Sequence, residues 1–191
     1  MPKLNINWFG LAGGIATILL IVISLFFPWW QFTVGDGILQ ANISPLNTNF
    51  DFLSENSVTV PLLWALNLVS ILSLAASGII MLIYSVLPSK SYSLKLLDFS
   101  YRKPIYSVVF FVISLFSLIL IIQSLLGFQI PIMGSTTIQL PQSLTAGTIV
   151  STKVTADFLW PFWFAAIAAG LCVIARIYHR RIAEQPMQQK K

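Results

Sequence analysis

The sequence predicts an all-α membrane protein: a bundle of four transmembrane helices carrying a small extracytoplasmic β-rich cap. Three observations lead there. Only 9% of the 191 residues are charged and 57% are hydrophobic, where a soluble domain carries about 25% charged residues. Four stretches, 4–35, 56–89, 104–152 and 158–175, contain no Asp, Glu, Lys or Arg, and crossing a bilayer needs roughly 20 apolar residues. Between the first and second spans, and between the third and fourth, the composition turns to β-branched residues and glycine.

The spans fall at about 8–28, 61–87, 105–128 and 159–178. Prolines punctuate them. Pro61, Pro104 and Pro161 stand in the first turns of their helices, where the missing N–H costs nothing. Pro28 and Pro88 stand where helices stop. The first span has a basic start, but its apolar run exceeds the 7–15 residues of a signal-peptide core. It ends Phe-Phe-Pro-Trp-Trp with no small-residue cleavage site, so it is expected to remain as a helix.

Orientation follows from the basic residues, which favour the cytoplasmic side. Lys3, Lys90, Lys95, Arg102, Lys103, Arg176, Arg180, Arg181, Lys190 and Lys191 all fall on one side of this layout; only Lys153 falls on the other. Both termini, the loop 89–103 and the tail 179–191 are therefore expected in the cytoplasm of a multi-pass plasma-membrane protein. Trp29, Trp30, Trp64, Trp160 and Trp163 are expected at the outer interface, where amphipathic rings settle. The loop 89–103 alternates apolar and basic residues and reads as a connector lying on headgroups. The net charge of +5 flanks membrane spans, so it points to anionic lipids as partners and away from nucleic acid.

The outer segments, 31–60 and 129–158, are too long for tight turns. Phe32-Thr33-Val34 and residues 38–43 flank Gly35-Asp36-Gly37, a hairpin signal. Residues 135–140 and 148–154 form a second pair around Thr145-Ala146-Gly147. Isolated hairpins are marginal in water, so three or four strands are expected to merge into one sheet; the alternative is two irregular loops. Asn42-Ile43-Ser44 fits the glycosylation acceptor pattern.

Within the spans, Gly10/Gly14, Ala165/Ala169 and Ala166/Gly170 make small-xxx-small steps, which serve either packing within the bundle or association between chains. Polar residues recur along two spans: Asn67, Ser70, Ser73 and Ser77 in the second, Ser107, Ser114, Ser117 and Ser124 in the third. Asn67 and Gln123 fall at matching depth and are expected to bond to each other. Asn67, Ser70, Ser114, Ser117 and Gln123 are then either helix glue or the lining of a polar path. No ionisable residue lies deep in a span, which argues against proton-coupled transport. The only histidine, His179, and the only cysteine, Cys172, lie two helical turns apart, too far to share a metal. No cofactor and no catalytic constellation is expected.

The cytoplasmic termini, four helices and two β-rich outer segments, with Trp29-Trp30 and Gly35 opening the first, resemble the tetraspan, claudin-like class. The Gly-Leu-Trp motif and the cysteine pair of claudins are absent, so the resemblance implies a shape and no functional residues. The leading expectation is a non-catalytic accessory or assembly subunit that binds other membrane proteins or itself through its outer cap, with Asp36, Phe50, Asp51, Phe52 and Glu55 as contact candidates. Phe50 and Phe52 equally suit packing beneath the cap. The alternatives are an oligomeric channel or transporter and a structural subunit of a respiratory or other redox complex.

Overall fold

The computed structural model describes residues 6–35, 39–46, 48–52, 56–58, 61–126, 130–139 and 151–188. Within them the chain runs α1 (Trp8–Phe26), β1 (Trp30–Val34), β2 (Leu39–Ile43), β3 (Thr48–Phe52), β4 (Asn56–Val58), α2 (Pro61–Val86) and α3 (Ser93–Ser100). Then follow α4 (Arg102–Leu126), β5 (Gly134–Gln139), β6 (Ser151–Phe158) and α5 (Trp160–Gln188). Four helical stretches are long and apolar enough to cross a membrane. Both intervening segments feed one small antiparallel sheet, ordered β4-β3-β2-β1-β6-β5. The Gly35 hairpin forms: Val34 pairs with Leu39, and Gly35 takes the left-handed φ of 62° that the turn requires. The expected turn at 145–147, with Asp36 and Glu55, lies outside the described residues.

Helix α1 occupies the centre, lying along both α2 and α5. Glycine sets how close they come. A Cβ on Gly14 would stand 3.2 Å from the Gly78 carbonyl and 2.8 Å from Leu82, and one on Gly13 would stand 3.0 Å from Cys172 Sγ. The Gly10/Gly14 step therefore meets α2 within the chain, where Gly10 faces Tyr84 and Ser85. On α5, Ala165 and Ala169 are buried. Ala166 is exposed, and nothing lies within 4 Å of a Cβ built on Gly170.

The end of the bundle that holds residue 7 is closed by polar groups. Asn7 is fully buried. Its Oδ1 accepts from the Gly10 N–H at 3.1 Å, capping α1. Its Nδ2 donates to Tyr84 Oη at 2.7 Å and to the Ala175 carbonyl at 3.0 Å. Its backbone N–H donates to the Ser85 carbonyl. Tyr84 Oη lies 2.9 Å from His179 Nδ1, so one asparagine links α1, α2 and α5.

Two expectations need correction here. The loop 89–103 is not a plain connector, because residues 93–100 form α3. Leu97 is fully buried among Met81, Tyr84 and Cys172, and Ser77 Oγ donates to the Ser100 carbonyl at 2.6 Å. Leu97 turns inward, while Leu94 and Phe99 stay exposed. Arg176 Nη2 stands 3.1 Å from Asp98 Oδ1, tying α5 to α3; this is a charge contact, since that oxygen lacks an aligned hydrogen bond.

The second correction concerns Trp29 and Trp30, which are 0% and 2% exposed. They pack in the core shared by the helices and the sheet. Trp29 Nε1 donates to Ser24 Oγ at 2.7 Å, and its ring meets Phe111 edge-on at 5.1 Å. Trp30 stacks on Phe32 and donates to the Ile132 carbonyl. Trp160 and Trp163 stay half exposed. Phe32, Val34, Ala41, Val154 and Ala156 complete the core beneath the sheet.

Truncating Trp29 to alanine is expected to lower stability by about 3–5 kcal/mol. Trp29→Phe, which loses mainly the bond to Ser24, is expected to cost about 1 kcal/mol. Thermal unfolding of the two variants in one detergent separates ring packing from the hydrogen bond.

Candidate functional site

Helix α4 rests on α5 but touches α2 only lightly, while α3 contacts both. The space left between α2 and α4 is a groove of about 490 Å³. On the α2 side it is lined by Asn67, Ser70, Ser73 and Leu74, positions that helical spacing puts along one face. On the α4 side, Lys103, Ser107, Phe110 and Ser114 follow one another at steps of four and three residues. Ser44 and Pro45, just past β2, also border it.

The walls are mostly apolar, and the polar groups are unevenly spread. Lys103 is the only ionisable lining residue apart from the phenol of Tyr106. Its ammonium sits 5.2 Å from the centre of the Phe99 ring, a cation–π contact, and it makes no ion pair among the described residues. One turn along α4, Ser107 Oγ is buried without a hydrogen-bond partner. A buried hydroxyl left unsatisfied is unfavourable and so marks a place for an acceptor.

Of the five residues expected to line a polar path, the groove gathers Asn67, Ser70 and Ser114. Ser117 is exposed, and its hydroxyl donates to the Ile113 carbonyl at 2.9 Å. Past Ser114 the groove follows Leu115 and Leu118 and leaves Ser117 outside it. Gln123 Nε2 donates to the Ile130 carbonyl at 3.0 Å, so its amide serves the approach to β5. Lys103 is expected from the sequence only as a flanking cation and Tyr106 is not singled out there; their spacing with Ser107 and Phe110 is the available signal.

The contact candidates on the cap are placed by register. Phe50 stands opposite Ala41, Asp51 opposite Gln40, and Phe52 opposite Leu39. Of their partners, Ala41 belongs to the core and Leu39 packs against it. In the Asn42 triplet, Ser44 is buried and its hydroxyl receives the Leu46 N–H. Among the described residues no three His, Cys, Asp or Glu side chains gather to hold a metal.

Comparison with protein-family models and with curated proteins finds no match to this chain.

The groove is testable by thiol accessibility in a Cys172→Ser background. A cysteine at Ser70 is expected to react with a lipophilic maleimide roughly ten-fold faster than one at Ser77, whose side chain is buried against α3. Equal rates would mean the groove is closed.

Proposed function

We propose that the chain is a non-catalytic, multi-pass plasma-membrane protein with cytoplasmic termini, working as an accessory or assembly subunit. It binds neighbouring membrane proteins, or further copies of itself, through its extracytoplasmic sheet. The observation that carries this reading is the edge of β5, which pairs with no further strand among the described residues. In the sheet order β5 is terminal, and its Gly-Ser-Thr-Thr-Ile-Gln segment holds no charged residue and no proline. Charge and proline are the means by which proteins block an edge strand. An unblocked edge accepts a strand from a partner through main-chain hydrogen bonds. The opposite edge, β4, spans only three residues.

Four apolar helices under a small sheet support the tetraspan, claudin-like likeness as one of shape. The candidates Asp36, Phe50, Asp51, Phe52 and Glu55 belong to the first outer segment, whereas the β5 edge belongs to the second. The cap is therefore read as a platform with its contact strand at β5. A second reading, an oligomeric channel or transporter, draws on Asn67, Ser70 and Ser114 in the α2–α4 groove. Replacing Asn67 with leucine in a folded variant is expected to abolish flux if that reading is right.

Purification from native membranes in mild detergent is expected to recover a stoichiometric partner or a defined homo-oligomer. Ser135→Lys with Thr137→Lys, both on exposed positions of β5, is expected to dissociate it by roughly ten-fold or more while leaving the helical content unchanged. A lone monomer in the wild-type preparation would overturn the accessory reading. For orientation, a cysteine at Ser135 is expected to react with a membrane-impermeant maleimide in intact cells, and one at Lys90 only after permeabilisation; the reverse pattern would invert the topology.

A further inference from the structure

We propose that the groove between α2 and α4 binds one chain of an anionic membrane lipid, with the headgroup held at Lys103 and Ser107. The proposal rests on the membrane reading above and adds a ligand to it. Size argues first. Along α4 the lining runs from Lys103 to Leu118, about 22 Å at 1.5 Å per residue. A volume near 490 Å³ spread over that length is a slender trough, narrower than the about 10–12 Å that a helix with its side chains needs. A single hydrocarbon chain fits, and a partner helix does not.

Polarity argues next. Lys103 sits at one end of the groove, with no carboxylate paired to it among the described residues. Ser107 Oγ stands one turn away, buried and without a partner. A headgroup oxygen would receive the hydroxyl proton of Ser107 and offset the ammonium charge of Lys103. Further along, the walls are Phe110, Phe111, Leu115 and Leu118 facing Leu66 and Val69, which suits an apolar tail. Ser70, Ser73 and Ser114 keep the groove open because their side chains are short. A cation and an unsatisfied donor at one end, with an apolar trough beyond, describe the complement of an anionic amphiphile.

The test uses the full chain purified in mild detergent, with native mass spectrometry of bound phosphatidylglycerol against phosphatidylcholine of the same chain length. The wild type is expected to retain one phosphatidylglycerol with about five-fold preference, the factor one lysine contributes near anionic lipid. Lys103→Arg should keep that preference, while Lys103→Ala should lose it. Ser70→Phe, which fills the trough, should reduce binding of both lipids. Monodisperse elution and unchanged helical circular dichroism qualify each variant. A wild type without preference, or a Lys103→Ala protein that keeps it, would overturn the proposal. Alkaline washing of the source membranes is done beforehand. A chain released into the wash overturns the membrane reading itself, whereas a retained chain lacking lipid preference overturns only the groove.

Discussion

Trp29 governs how the two halves of this molecule meet. Its indole is fully buried and bonded to Ser24 in the last turns of α1. Its backbone N–H donates to the Ile43 carbonyl, and its own carbonyl accepts from the Leu159 N–H just before α5. One residue therefore satisfies β2, the end of α1 and the start of α5 together. A residue so constrained on three sides leaves the sheet no freedom to swing, because any rotation would strand buried backbone groups. The aromatic contacts from Trp29 through Phe111 and Phe162 to Phe158 extend that constraint to α4 and β6.

Hydropathy and proline placement sufficed for the four long helices, because those signals are local. Gly35 and the β-branched runs sufficed for the hairpin for the same reason. What composition could not convey was which strands neighbour which. The pairing of β1 with β6 joins segments more than a hundred residues apart, and Trp29 and Trp30 are buried in the core that these strands share with the helices. Tryptophan at a span boundary suits either the membrane interface or such a core, and only the tertiary packing decides between them. Helix α3 escaped because eight residues hold too few turns for a clear period, and their burial depends on Met81 and Tyr84 from another helix.

The candidate site was partly visible. A spacing of seven keeps Ser107 and Ser114 on one face, and both line the groove; beyond them Leu115 and Leu118 line it and Ser117 does not. The pairing expected between Asn67 and Gln123 failed because matching depth does not imply matching azimuth, and Gln123 finds a nearer acceptor at Ile130. Asn7 drew no notice as a polar residue ahead of an apolar run, although an asparagine there is a standard start signal for a helix. Its larger role depends on Tyr84 and His179 reaching the same level from two other helices, which no single stretch of sequence reveals.

The Asn7 junction also bears on the order in which the fold is completed. The cap of α1 is finished by a carbonyl at Ala175, 168 residues downstream, and Gly13 of α1 lies close against Cys172. The pairing of β1 with β6 likewise joins the first β-strand to the last one. Helix α1 thus needs α5 in place before its buried amide has all its partners. Without α5 and β6, the seam along α1 and the edge of β1 stay open. Such distant pairings make for slow closure, and chains released early from synthesis would expose the seam at both ends of the molecule.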